Sequence, residues 1–123
     1  MPKKILIVDD APVIRFVLRD MLELGGFEVV GEGENGIEAV QKFLELKPDL
    51  VTLDITMPEK DGITALMEIK ALDKNAKVIM VTALDERDSL IDAIKNGASD
   101  YIMKPFEQER VLSAVKNLLE PEQ

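Results

Sequence analysis

The sequence has neither cysteine nor histidine among its 123 residues. Without cysteine it can form no disulfide and no thiolate metal site. Without histidine it can hold no Ser-His-Asp triad, no histidine nucleophile and no imidazole-ligated metal. A metal bound to this chain would therefore have oxygen ligands, which Mg²⁺, Mn²⁺ and Ca²⁺ prefer. The absence of cysteine also fits a reducing compartment, and we expect a cytoplasmic protein.

Long apolar runs and an excess of positive charge are missing as well. No apolar stretch of the sequence approaches the roughly 20 residues of a membrane span, and residues 1–4 (MPKK) lack the core of a signal peptide. The formal net charge of −9 would repel a nucleic-acid backbone. We therefore expect neither a membrane nor a nucleic acid among the partners of this chain.

Short apolar runs alternate with helical patterns along the chain. The runs at residues 5–8, 27–30, 50–53, 78–81 and 101–103 predict strands, and an amphipathic segment with capping or turn signals follows each of them. Strict alternation of this kind predicts a parallel sheet with helices on both faces. We expect an α/β, flavodoxin-like fold with five strands in the order 2-1-3-4-5 and a single domain over residues 1–123.

The first helical segment has apolar residues on more than one side. The face that we predict to pack inward contains Val13, Phe16, Val17 and Met21. Other apolar residues of the same segment, including Ile14 and Leu18, lie beside that face and are either exposed or covered by neighbouring loops.

Polar side chains stand where four of the five predicted strands end. Asp9 and Asp10 follow the first strand, Asp54 the third, Thr82 the fourth and Lys104 the fifth. Because the carboxyl ends of parallel strands meet at one edge, we expect these side chains to converge in one crevice. Three carboxylates there would repel one another unless the ammonium and a divalent cation, Mg²⁺ or Mn²⁺, offset them. Such a cluster is suited to accepting a phosphoryl group onto a carboxylate, with the hydroxyl donating to the product.

The segment GEGENG at residues 31–36 matches the GxGxxG pattern of dinucleotide-binding loops. It follows the second strand instead of the first, and Glu32 and Glu34 would repel a pyrophosphate. We therefore interpret it as a turn that leads into a helix, with Asn35 and Glu38 forming a capping box.

Four motifs carry a family resemblance: LIVDD at residues 6–10, LDITMPEKDG at 53–62, VTA at 81–83 and KPF at 104–106. In order and spacing they resemble the receiver domain of two-component response regulators, and in size the single-domain CheY-like type. The resemblance covers residues 3–119. It implies a CheY-like fold in which Asp54 is the phosphoacceptor.

The resemblance also implies a set of metal ligands around Asp54. Asp10 would bind Mg²⁺ directly, and Asp9 would act largely through a metal-bound water. The backbone carbonyl of Thr56 would be the remaining protein ligand.

Further roles implied by the resemblance concern the phosphoryl group and the switch. Lys104 would contact the phosphoryl group, and its bond to Pro105 is usually cis in this family. Thr82 and Tyr101 would form the switch pair, with the threonine moving toward the phosphoryl group and the tyrosine turning inward. Ala83 would keep the approach to the phosphoacceptor open.

Two further assignments follow from the resemblance. Thr56 and Leu84 occupy the positions that tune phosphoryl lifetime in the family, and neither is a carboxylate or carboxamide that readily orients a hydrolytic water. We therefore expect a lifetime longer than that of fast-cycling chemotaxis regulators. In receivers, exposed apolar residues of the first helix dock the kinase, which makes Ile14 and Leu18 docking candidates.

The resulting expectation is a monomeric, stand-alone response regulator. It would take its phosphoryl group from a sensor histidine kinase or phosphotransfer protein and present the surface of helix 4, strand 5 and helix 5 to an unidentified downstream protein. It would catalyse only its own phosphorylation and dephosphorylation. Because the chain ends at Gln123, just after the last helix, we expect no fused output domain.

Two alternatives use the same residues. An aspartate-nucleophile phosphatase would form the same acyl phosphate, but such enzymes favour an aspartate where this chain has Thr56. A scaffold receiver would never take phosphate, although every residue needed for phosphorylation is present.

Overall fold

The computed structural model describes residues 2–120, and within this range five parallel strands form one sheet in the order β2-β1-β3-β4-β5. The strands are β1 (Lys4–Val8), β2 (Glu28–Gly33), β3 (Leu50–Asp54), β4 (Val78–Thr82) and β5 (Asp100–Met103). The helices are α1 (Pro12–Leu24), α2 (Gly36–Leu46), α3 (Gly62–Leu72), α4 (Arg87–Lys95) and α5 (Gln108–Leu119), and a 3₁₀ turn at Leu84–Glu86 precedes α4. The predicted flavodoxin-like topology is confirmed.

The sheet separates two apolar cores. Because successive side chains of a strand point to opposite faces, the three central strands β1, β3 and β4 contribute to both cores. One core lies under α1 and α5 and includes Ile5, Ile7, Leu18, Leu22, Val111 and Val115. The other lies under α2, α3 and α4 and includes Leu6, Val8, Leu53, Leu66, Ile69 and Leu90. Among the helices of residues 2–120, none combines the length and the apolar character needed to cross a membrane.

The predicted inward face of α1 is wrong at Val13 and Phe16, although Met21 does pack against the core. Val13 and Phe16 are 71% and 72% exposed, whereas Leu18 and Leu22 are buried. Apolar residues lie on several sides of this helix, so its periodicity does not select the buried face, which is set by packing on the sheet and on α5. Leu18 is a core residue and cannot form an exposed kinase-docking surface, and Ile14 is half-buried against the same core.

Side-chain caps fix where α2 and α3 begin. The Asn35 side chain accepts a hydrogen bond from the backbone N–H of Glu38 at 2.8 Å, and the Glu38 carboxylate accepts one from the N–H of Glu34 at 2.8 Å. Asp61 caps α3 in the same way, accepting from the N–H of Thr64 at 2.8 Å. The segment at residues 31–36 therefore runs from β2 into a capped helix, as its interpretation as a turn and helix start predicted.

Two glycines allow the backbone to close tightly behind β3. The N–H of Gly62 donates to the carbonyl of Ile55 at 2.7 Å, and the N–H of Gly36 donates to the carbonyl of Lys60 at 2.9 Å. A Cβ at Gly62 would overlap the backbone carbonyl of Asp54, and one at Gly36 would overlap the carbonyl of Lys60. Glycine at these positions therefore holds the β3–α3 loop close to β3 at one end and to α2 at the other.

Candidate functional site

The register of the sheet brings the carboxyl ends of its strands level. Asp54 pairs with Val81, and Thr82 pairs with Met103. The backbone N–H of Lys104 also donates to the carbonyl of Thr82 at 2.7 Å, which ties the end of β5 to the end of β4. Residues that end or follow four of the strands consequently share one edge of the sheet: Asp9, Asp10, Asp54, Thr82 and Lys104.

Three carboxylates form the centre of this edge. Asp9, Asp10 and Asp54 each offer one oxygen, and the three oxygens lie within 4.8 Å of one another. Asp9 and Asp54 are buried and Asp10 is exposed. One oxygen of Asp9 accepts from the N–H of Ala11 at 2.9 Å, while Oδ2 is buried without a hydrogen-bond donor among residues 2–120. An all-oxygen donor set in which one buried carboxylate oxygen accepts no hydrogen bond fits a hard divalent cation such as Mg²⁺.

Lys104 supplies positive charge to the same cluster. Its ammonium nitrogen lies 3.1 Å from Asp9 Oδ2, in an ion pair without hydrogen-bond alignment, and 3.4 Å from Asp54 Oδ1. Burial alone would lower the pKa of Lys104, but attraction to Asp54 and Asp9 outweighs it and holds that pKa above its ordinary value. Lys104 is therefore positively charged at neutral pH.

The surroundings of Asp54 oppose the ionisation of its carboxyl group. Burial, followed by repulsion from Asp9 and a smaller repulsion from Glu86, raises the pKa of Asp54 to about 7, although Lys104 lowers it in part. One Asp54 oxygen accepts from the N–H of Ile55 at 2.9 Å. A buried carboxylate that lacks full charge compensation is a strong candidate for reaction with an electrophile that arrives with a cation.

Glu86, which the sequence analysis missed, reaches into this site from the 3₁₀ turn. Its Oε1 accepts from the N–H of Ala83 at 2.7 Å and lies 3.4 Å from the Thr82 hydroxyl. Its Oε2 accepts from the Thr56 hydroxyl. In the sequence Glu86 looks like an ordinary acidic residue at the start of a helix, so only its spacing of four residues after Thr82 could have indicated the contact.

Arg15 and Glu32 brace the backbone that carries Asp9, and neither was predicted. Arg15 donates to the carbonyl of Asp9 at 2.6 Å and to the Glu32 carboxylate at 2.9 Å. Arg19 donates to the other oxygen of Glu32 at 2.8 Å. Burial alone would raise the pKa of Glu32, but the hydrogen bonds from Arg19 and Arg15 hold it below its ordinary value.

Tyr101 lies apart from the acidic cluster. Its side chain is partly exposed, and the Arg110 guanidinium lies 5.8 Å from the centre of its ring. A cavity of about 330 Å³ separates this ring from the β4–α4 turn. The residues that line the cavity are Ala83, Leu84, Arg87, Leu90, Tyr101 and Met103.

The other predicted residues occupy the rim of the site. Thr56 follows the buried Ile55 and is exposed, and Leu84 is exposed in the 3₁₀ turn. The peptide bond between Lys104 and Pro105 is cis. The structure thus brings the three aspartates and Lys104 together, and Glu86 links Thr56 to the β4–α4 turn.

Residues 5–116 match the family model of the response regulator receiver domain. The chain belongs to this family. This receiver is 55% identical to the chemotaxis protein CheY of Bacillus subtilis over 119 residues, covering 97% of this chain and 99% of that one. It is 51% identical to the chemotaxis protein CheY of Thermotoga maritima over 118 residues, covering 96% and 98% of the two chains.

A solved structure supports the same classification. The receiver superposes on a chain of the CheX–CheY–BeF₃–Mg²⁺ complex of Borrelia burgdorferi with a TM-score of 0.91 and 39% identity, over 97% of this chain and 90% of that one. The predicted resemblance to CheY-like receivers is therefore confirmed. The aspartates at the sheet edge give this receiver the acidic pocket in which such domains bind Mg²⁺.

Proposed function

We propose that residues 1–123 form one CheY-type receiver that acts in the cytoplasm as a monomeric response regulator of chemotaxis. In this proposal Asp54 takes a phosphoryl group from a sensor histidine kinase or phosphotransfer protein, and the phosphorylated form binds a downstream protein. The observation that carries the proposal is the position of Asp54, buried and within 3.4 Å of the Lys104 ammonium, beside two further carboxylates.

The transfer step uses groups that already lie at the site. An oxygen of Asp54 forms a bond to phosphorus as the bond between phosphorus and the donor nitrogen breaks, and the imidazole of the donor leaves with the electron pair. Lys104 stabilises the negative charge on the transferring oxygens. The Thr82 hydroxyl and the N–H of Ala83 donate hydrogen bonds to the bound phosphoryl group.

The fit of the donor set to Mg²⁺ supports a metal-assisted transfer. Asp10 and Asp54 would hold the ion directly, Asp9 through a water, and the backbone carbonyl of Thr56 would complete the protein ligands; Mn²⁺ would suit the same oxygens. When bound, the ion would supply the positive charge that offsets the carboxylates and polarises the phosphoryl oxygens.

The switch that we propose runs through Thr82 and Tyr101. A phosphoryl group adds up to about two negative charges and new acceptor oxygens, enough to draw the Thr82 hydroxyl toward Asp54. The cavity beside Ala83 gives the Tyr101 ring room to turn inward. Such a movement would change the surface formed by α4, β5 and α5, which we propose as the binding surface for the downstream protein. The presence of a CheY chain with CheX in the Borrelia burgdorferi complex supports a protein partner for this receiver.

The composition of the site favours a switch over an enzyme that turns over an external substrate. A phosphatase of the aspartate-nucleophile type would favour an aspartate where this receiver has Thr56. We propose that the only reactions this receiver catalyses are its own phosphorylation and dephosphorylation.

The test is chemical modification of Asp54. With Mg²⁺ and acetyl phosphate or beryllofluoride, we expect one modified site in the wild type and none in Asp54→Asn, measured by intact-protein mass spectrometry for the phosphoryl group and by ¹⁹F NMR for beryllofluoride. Failure of the folded wild type to react would leave the scaffold receiver as the better description. Sustained hydrolysis of a phosphomonoester would favour the phosphatase.

A further inference from the structure

Glu86 places a carboxylate on the hydrogen-bond donors that the proposed phosphoryl group needs. We propose that Glu86 is a positioning residue that competes with the phosphoryl group, so that phosphorylation of Asp54 requires its carboxylate to leave. This inference rests on the proposed function, because it concerns the same donors at the same site.

The contacts of Glu86 bridge two loops across the site. Oε1 accepts from the N–H of Ala83 at 2.7 Å and faces the Thr82 hydroxyl at 3.4 Å; Thr82 ends β4 and Ala83 begins the connection after it. Oε2 accepts from the Thr56 hydroxyl in the connection after β3. The Glu86 side chain is half-buried, and donors from both loops hold it in place.

Competition follows from the number of donor hydrogens. The backbone N–H of Ala83 has one hydrogen, and it cannot donate strongly to Glu86 and to a phosphoryl oxygen at the same time. Both acceptors are anionic, so Glu86 also repels an incoming phosphodonor. The unmodified site thus contains an internal anion that must be displaced before the donors can serve the phosphoryl group.

Displacement of Glu86 has a second effect. The same side chain holds the 3₁₀ turn Leu84–Glu86 against Thr56, and this turn leads directly into α4. Release of the carboxylate therefore frees the turn from the β3–α3 loop. The chemistry at Asp54 and the position of the α4 amino terminus become linked through one side chain.

The test compares rates of Asp54 phosphorylation by acetyl phosphate at saturating Mg²⁺ in three variants. Glu86→Ala removes both the charge and the acceptor, and we expect phosphorylation about tenfold faster than in the wild type, the size expected for losing a hydrogen bond to a charged group. Glu86→Gln keeps an acceptor oxygen and removes the charge, and we expect an intermediate rate. Asp85→Ala is the matched control, because it removes the same charge from an exposed neighbour; we expect a rate within about twofold of the wild type, as for a screened surface charge.

The direction of the change separates the possible outcomes. If Glu86 were only a structural cap of the turn, Glu86→Ala would lower the urea midpoint and slow phosphorylation, which would overturn the inference. A Glu86→Ala rate equal to that of Asp85→Ala would overturn it too, while leaving the proposed function intact. If the folded wild type and all variants failed to react, the proposed function itself would fall.

Discussion

Replacing Asp54 with asparagine should stabilise the metal-free protein, and the gain should depend on pH. Burial and the repulsion from Asp9 raise the folded-state pKa of Asp54 above its unfolded value. The contribution of protonated Asp54 to the free energy of unfolding is therefore fully present below the unfolded pKa. It is lost as the pH rises through the folded pKa. Asparagine has a similar shape and no charge to bury, so the variant escapes this loss.

The magnitude follows from the two pKa values. Burial and charge repulsion raise the pKa of Asp54 from its ordinary value of 3.8 to about 7 in the folded protein. At about 1.4 kcal/mol per pKa unit, the ionised carboxylate would lower the free energy of unfolding by about 4 kcal/mol. Water at the mouth of the cleft, where Asp10 is exposed, screens part of this effect. We therefore expect Asp54→Asn to gain about 2 kcal/mol at pH 8 and less than half of that at pH 5.

The assay is urea unfolding of both proteins in EDTA between pH 5 and pH 8.5. Asp20→Asn provides the matched control, because Asp20 is an exposed aspartate on α1, and we expect it to change stability by less than about 0.5 kcal/mol at every pH. If Asp54→Asn and the wild type were equally stable at pH 8, or differed by an amount that did not vary with pH, the environment assigned to Asp54 would be incorrect.

Three further predictions use the same protein. Added Mg²⁺ should raise the melting temperature of the wild type, because an ion that binds only the folded state stabilises it. In the same thermal melt, Asp10→Asn should largely remove this shift, and equal shifts in the two proteins would exclude Asp10 as a ligand. In urea unfolding, Leu18→Ala should lower the free energy of unfolding by about 2–4 kcal/mol, because the Leu18 side chain is buried. Phe16→Ala should change it by less than about 0.5 kcal/mol, because the Phe16 side chain is exposed. The reverse order would contradict the observed buried face of α1. If Asp54 is phosphorylated as proposed and the residues at positions 56 and 84 set the lifetime of the phosphoryl group, the double variant Thr56→Asn with Leu84→Glu should lose that group faster than the wild type in an autodephosphorylation assay. An unchanged rate would show that these positions do not control the lifetime.

The fold and the centre of the site could be predicted because they depend on local signals. Buried parallel strands appear in the sequence as short apolar runs. The topology alone then places the residue after each run at the edge formed by the carboxyl ends of the strands. Asp54 and Lys104 are separated by 50 residues in the chain. Each was nonetheless predictable from its own strand, because a parallel sheet aligns the carboxyl ends of its strands.

The features that escaped prediction depend on how whole elements pack. The buried face of α1 is chosen by the sheet and α5, so Phe16 and Leu18 could not be separated by spacing. Glu86 and Arg15 have long, flexible side chains that reach neighbouring loops. Each has a partner that is distant in sequence, 30 residues for the Thr56 contact of Glu86 and 17 for the Glu32 contact of Arg15, and no local pattern marks those contacts.

The two loops that flank Asp54 are fastened in different ways. The β3–α3 loop is closed by main-chain hydrogen bonds from Gly62 to Ile55 and from Gly36 to Lys60, at positions where even a methyl group would collide. The β4–α4 turn is tied to it through the Glu86 side chain, which can rotate away without breaking any backbone bond of that loop. If the two loops are pushed apart, we therefore expect the Glu86 contact to break first. The β4–α4 turn would then move, while the β3–α3 loop would stay in place.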